Sequence, residues 1–307
     1  MSVYELRYKV NLALPDPEGF MGAEVREILR TSLGKNKQIL LAYPPKVGGT
    51  FMRTAVIHLL RGNYTAYLNR GSYANTDQSR DLYFPTLLDV HVDRSQPPAA
   101  SVMHLHMFPA RHLTEMIEAF DIPVVIGTRS ILDCLRSSID MTTGMEAEGE
   151  FVDDTLISNG KPYAEMTAEE RRHGIVHTVP LWYARFYGQW LRYDRECEAQ
   201  GKRRPLWLTF QEFKEEPAAV LARIARHVDP GNRYDAAAVD AALAKSLEKK
   251  AGLRFNKGVS GRGQGHFTDD EQRTIYATLA KAGEEDLLRL GVLEPMTVTA
   301  ERQESLA

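Results

Sequence analysis

Four short apolar runs constrain the fold of this chain more than any other feature: QILLAY at 38–43, ASVMHL at 100–105, PVVIGT at 123–128 and PLWLTF at 205–210. Each is continuous rather than alternating, the pattern of a strand covered on both faces within a parallel sheet. Between them lie helix-like segments, notably TFMRTAVIHLLRG, ARHLTEMIEAF and ILDCLRSSIDM. Strands alternating with helices predict an α/β three-layer sandwich, a central parallel sheet flanked by helices. With 307 residues, 43% of them apolar, and no Pro/Gly/Ser-rich linker, the chain reads as one domain, 1–307.

Other stretches bound the possibilities. Residues 142–173, TTGMEAEGEFVDDTLISNGKPYAEMTAEERRH, are acidic and interrupted by glycine, and read as a surface insertion or lid. The helical segment from Thr178 through Trp182 and Trp190 is rich in aromatic residues, a pattern of core packing. A flexible tail is expected from about residue 295. The first twenty residues mix charges among apolar positions, unlike a signal peptide, and no run reaches the roughly 20 apolar residues that span a bilayer. A cytoplasmic protein without stable membrane insertion is expected. Cys134 and Cys197 lack metal-ligand spacing. A net charge of −3 argues against a basic nucleic-acid binder.

The run ILLAYPPKVGGTFMR passes from an apolar strand through glycines and one lysine into a helix. A Walker loop places Lys directly before Ser or Thr, after spaced glycines. Here Lys46 comes first, followed by Val47, Gly48, Gly49 and Thr50. Amides of residues 48–51 at a helix N-terminus suit an oxyanion, and Lys46 adds a mobile charge. A plain glycine turn with a solvent-facing lysine is the competing reading.

The wider pattern resembles the cytosolic-type sulfotransferases, which use 3′-phosphoadenosine-5′-phosphosulfate (PAPS). YPPKVGGTF resembles the family's Tyr-Pro-Lys-Ser-Gly-Thr-Thr-Trp, with Lys46, Gly48, Thr50 and Phe51 in register and Gly49 replacing a threonine. TRSILDCLRSSID matches Arg-Asn-Pro-x-Asp-x-x-x-Ser through Arg129, Asp133 and Ser137, with Ser138 as a neighbouring alternative. FNKGVSGRGQGHFT resembles Arg-Lys-Gly-x-x-Gly-Asp-Trp-Lys-Asn-x-Phe-Thr, with Lys257, Gly258, Gly261, Phe267 and Thr268 in register, Asn256 at the arginine, and Arg262, Gly263 and Gln264 at Asp-Trp-Lys. Phe210 stands at a tyrosine near the adenine, and Leu247 at the phenylalanine of a Thr-Ser-Phe element. The resemblance implies a P-loop-like sulfotransferase fold. It further implies that Lys46, Gly48, Gly49, Thr50 and Phe51 hold the 5′-phosphosulfate end. Arg129, Ser137, Lys257 and Gly258 would hold the 3′-phosphate, with the Phe51 and Phe210 side chains against the adenine and Asn256 and Leu247 also in the cofactor site; the product would be 3′-phosphoadenosine-5′-phosphate (PAP).

Sulfuryl transfer to a hydroxyl needs a base, and SVMHLHMFP places His104 and His106 on the same side of a strand. His106 aligns with the family's histidine and is the preferred base, with His104 the alternative. No metal is implied. A hydroxyl-bearing small molecule, lipid or sugar is the expected acceptor. A nucleotide kinase-like phosphoryl transferase and a non-catalytic PAP- or PAPS-binding protein are the competing functions. Thr268 begins TDDE, which reads as a helix capping box as readily as part of the family's dimer segment, so the oligomeric state stays open.

Overall fold

A computed structural model of the chain describes residues 37–60, 63–64, 100–148, 161, 163–231, 234–248 and 260–295. Asn256, Lys257 and Gly258, the first twenty residues, the middle of the 142–173 interval and the tail beyond 295 lie outside the described residues.

Among the described residues, five strands form one parallel sheet: β1 (Lys37–Ala42), β2 (Asn63–Tyr64), β3 (Ala100–Leu105), β4 (Val124–Thr128) and β5 (Leu206–Thr209), in the order β2-β3-β1-β4-β5. Residues 39–42 of β1 are all fully buried, so both of its faces are covered, as its unbroken apolar sequence requires. Helix α1 (Gly49–Leu60) follows β1, α2 (Arg111–Ala119) joins β3 to β4, and α3 (Ile131–Ala147) follows β4. After these come α4 (Ala168–His173), α5 (Val179–Ala199), α6 (Phe210–Glu215), α7 (Pro217–Val228), α8 (Ala236–Glu248), α9 (Asp269–Ala280) and α10 (Glu284–Arg289). Helix α8 packs on α1 and α7, while α9 packs on α5.

The aromatic segment is core, as its sequence suggested. Tyr183, Phe186, Tyr187 and Trp190 of α5 are buried, and the Trp190 indole donates to the Met107 carbonyl at 2.9 Å. A π turn, Gly174–Thr178, links α4 to α5, and Pro180 at the start of α5 has no N–H to continue an ordinary ladder there.

The interval 142–173 begins inside α3 rather than in a loop, and its far end is helical as well. Tyr163 donates to Thr142 Oγ1 at 3.1 Å, Arg171 pairs with Glu146 and Arg172 with Glu271. Two of these contacts tie the two ends of the interval to each other, and Arg172 ties its far end to α9, links that composition alone did not reveal. Capping boxes start α4 (Thr167 with Glu170), α6 (Thr209 with Glu212) and α9 (Thr268 with Glu271), the last as TDDE predicted.

Candidate functional site

Strand polarity collects the chemistry. Parallel strands open their carboxyl ends on one edge of the sheet, the edge where open α/β sheets bind ligands. From these ends depart residues 43–48 after β1, His106 after β3, Arg129 after β4 and Phe210 after β5. β1 lies between β3 and β4, so its loop is flanked by His106 on one side and Arg129 on the other.

The loop after β1 is held in a strained turn. Lys46 lies at φ +66° and Gly48 at φ +83°; for a side-chain-bearing residue the left-handed region costs on the order of 1 kcal/mol, and such strain is retained where surroundings enforce it. Those surroundings are visible. The Tyr183 hydroxyl donates to the Pro45 carbonyl at 2.8 Å, and an Arg129 guanidinium N–H donates to the Lys46 carbonyl at 3.0 Å. The first amides of α1 lack intrahelical acceptors and sit at the positive end of a twelve-residue helix. Lys46 Nζ lies 3.4 Å from Met141 Sδ of α3. A lysine, a left-handed turn and a helix N-terminus fit an anionic group.

Arg129 is the second anchor. Its guanidinium lies 3.5 Å from Asp133 and 4.3 Å above the centroid of the Phe210 ring. Phe210 in turn covers Gly48, where an added Cβ would meet the ring at 3.1 Å. Loop, arginine and aromatic ring thus form one contiguous stack. Phe51 is buried against Phe213, at 5.3 Å between ring centroids, and belongs to the packing behind the loop. Thr50 lies in the first turn of α1, where its carbonyl accepts from the Thr54 hydroxyl at 2.9 Å.

The two histidines take different places. His106 Nδ1 bonds the Tyr43 carbonyl. A carbonyl only accepts, so Nδ1 carries the proton and Nε2 is left with its lone pair. Burial lowers the His106 pKa, the Tyr43 contact partly opposes this, and the Lys46 charge lowers it further. His104 is pushed well below the ordinary histidine value by burial, then by His106 and Arg53. Its ring stands edge-on to His106 at 5.3 Å between centroids. Its Nε2 points at Gly49: a Cβ there would lie 2.3 Å from Nε2 and 2.9 Å from Tyr43 Cδ2. The glycine at a family threonine position is therefore the space that His104 occupies.

Ser137 is buried on α3, one turn before Met141, whereas Ser138 turns back to donate to the Cys134 carbonyl at 3.1 Å. Leu247, near the end of α8, is about half exposed, beside the buried Ser246.

At the level of sequence, no family model and no curated protein matches the chain. Solved structures do. A mouse sulfotransferase, SULT7A1, complexed with PAP, superimposes with a TM-score of 0.55 at 13% identity over 86% of this chain and 91% of that one. The chain has the sulfotransferase fold. A retinol dehydratase complexed with androsterone and PAP has the same architecture, with a TM-score of 0.52 at 13% identity over 94% of this chain and 95% of that one.

Within the sulfotransferase fold, the sequence-predicted residues Lys46, Gly48, Gly49, Thr50, His104, His106, Arg129 and Phe210 come together, while Asn256, Lys257 and Gly258 lie outside the described residues. Tyr43 and Tyr183 were missed as site residues. Tyr43 is the tyrosine of the loop motif itself, but its carbonyl, not its ring chemistry, orients the histidine. Tyr183 reaches the loop from 138 residues away and left no local signal. Among the described residues, no helix is long and apolar enough to cross a membrane, and no group of three His, Cys, Asp or Glu side chains is placed to hold a metal ion.

Proposed function

We propose that this chain is a PAPS-dependent sulfotransferase, a single cytoplasmic domain that moves a sulfuryl group in line to the hydroxyl of a small-molecule, lipid or sugar acceptor. The observation that carries the reading is the junction of β1 and β3, where the strained Lys46 loop adjoins a histidine whose Nδ1 is committed to Tyr43. PAPS, when bound, supplies the activated sulfuryl group.

The remaining work falls to the chain's own side chains. His106 Nε2 takes the proton of the acceptor hydroxyl, and its lowered pKa keeps it unprotonated at neutral pH. As the acceptor oxygen bonds to sulfur, the sulfur–oxygen bond to the nucleotide breaks, and the electron pair stays on the 5′-phosphate. Lys46 leaves Met141, a weak acceptor, to neutralise that charge. Arg129, stacked on Phe210 and tied to the Lys46 carbonyl, holds the 3′-phosphate with Ser137, and converts binding of a remote group into alignment of the reacting one. Lys257 and Gly258 join this set on the family resemblance. His104 fills the hollow at Gly49 and shapes the loop rather than exchanging the proton.

Calorimetric titration with PAP and ATP, on wild type and on Arg129→Ala and Lys257→Ala, tests the assignment. PAP binding weakened by both substitutions, with little ATP binding, supports it and leads to a labelled-PAPS acceptor screen. Preference for ATP with magnesium-dependent turnover indicates phosphoryl transfer instead. PAP binding without transfer to any acceptor, and indifferent to His106 replacement, indicates a silent binder.

A further inference from the structure

On a helix, residues three, four and seven apart share a face. Along one such face of α3, the segment 260–267 is fastened at three successive points. The Gly261 amide donates to Asp133 Oδ2 and the Gly263 amide to Asp133 Oδ1, each at 2.9 Å. One turn on, Arg136 reaches His266 Nδ1 at 2.7 Å; a turn further, Arg262 pairs with Asp140 at 2.6 Å. Gly263 lies so close that a Cβ would stand 2.2 Å from the Leu132 carbonyl carbon and 2.6 Å from the Asp133 nitrogen. A tryptophan, the residue of the family pattern here, has no room on this path.

Asp133 is the pivot. Only 3% exposed, its carboxylate accepts one amide on each oxygen and faces Arg129 at 3.5 Å, the same Arg129 that donates to the Lys46 carbonyl. One buried side chain thus joins the glycine-rich segment, the arginine after β4 and, through it, the loop after β1. We infer that Asp133 is a positioning residue for recognition of the 3′-phosphate, orienting Arg129 and fixing the segment 260–263 on α3 before any nucleotide arrives. A site assembled in advance spares the ordering cost that a loose loop adds to binding. The inference rests on the PAPS reading for the identity of the ligand, but the clamp itself does not.

Two variants and two readouts test it. Asp133→Asn keeps the shape and turns one acceptor into a donor facing an amide N–H; Gly263→Ala forces the segment off α3 without altering charge. In ligand-free wild type, the amides of Gly261 and Gly263 exchange slowly with deuterated solvent, and in both variants they exchange fast. PAP affinity falls about tenfold or more, the scale of a lost hydrogen bond to a charged group, while affinity for AMP, which lacks the 3′-phosphate, stays within about twofold. Fast exchange of both amides in wild type overturns the clamp, whatever the nucleotide result. Equal weakening of PAP and AMP in folded variants overturns the positioning role and leaves a structural one. A wild type with slow amides but no preference for PAP over AMP refutes the sulfotransferase reading and removes the ligand from this inference.

Discussion

Replacing Gly49 with alanine probes the fit between the loop and His104 directly. The added Cβ would lie 2.3 Å from His104 Nε2, and ordinary contact begins near 3.4 Å, so the ring must retreat by 3.4 − 2.3, about 1.1 Å. Little room exists for that retreat. His104 is paired to Leu41 within the sheet, and the His106 and Tyr43 rings stand 5.3 and 5.9 Å from its own. Overpacking of this kind costs about 1–3 kcal/mol, which for a chain of this size lowers the melting temperature by roughly 2–5 °C. In a His104→Ala background only the Tyr43 edge, 2.9 Å from the added Cβ, must give, and the space left by the ring is open to it, so the same Gly49→Ala change costs about 1 kcal/mol less. The double-mutant cycle, read by urea denaturation, therefore yields a coupling of about 1 kcal/mol or more. A cost within 0.5 kcal/mol of zero in wild type, or an equal cost in both backgrounds, would refute the proposed fit.

Further outcomes follow from the same geometry. His106→Gln lowers kcat by about 10²–10⁴ in a labelled-PAPS assay, the usual reach of a general base, whereas His104→Gln lowers it less than about tenfold; the reverse ranking would make His104 the base. Lys46→Met lowers kcat by about 10²–10³ with a smaller effect on PAP affinity, as expected of a charge used mainly in the transition state; equal losses in both would assign Lys46 to ground-state binding. Burial lowers the folded pKa of His104, His106, His227 and His266 below the ordinary 6.5, so as pH falls the unfolded chain takes up protons first. Stability is then complete above about pH 6.5 and declines below it, by up to about 1.4 kcal/mol per pH unit for each of the buried His104 and His106 until its folded pKa is reached, and by less for the more solvent-screened His227 and His266. Urea midpoints at pH 7.5, 6.5 and 5.5 measure this, and a wild-type slope no steeper than that of a His104→Ala, His106→Ala variant contradicts it.

Much of the architecture was open to reading because it is local. QILLAY became β1 at Lys37–Ala42 and ASVMHL became β3 at Ala100–Leu105, since an unbroken apolar run has few other ways to bury both faces. The gathering of the candidate residues followed as well: in a parallel sheet, residues just past strand ends share an edge wherever they fall in the chain. The boxes at Thr167, Thr209 and Thr268 are equally local, each set by its spacing to Glu170, Glu212 or Glu271. Strand β2 has two residues, too few to show any period.

Sequence alone therefore determined a parallel α/β sheet, a glycine-rich loop with one lysine after its first strand, and two histidines on the same side of another strand. Tertiary structure decided the rest. It decided that Gly49 is small because His104 fills its space, that Tyr43 offers a carbonyl to His106, and that Tyr183 and Arg129 brace the loop. It also decided that Asp133 gathers two glycine amides from 128 and 130 residues away. Periodicity and capping are written within a few residues of one another, whereas exclusion of a side chain or satisfaction of a buried donor depends on which distant atoms the folded chain brings within a few ångströms.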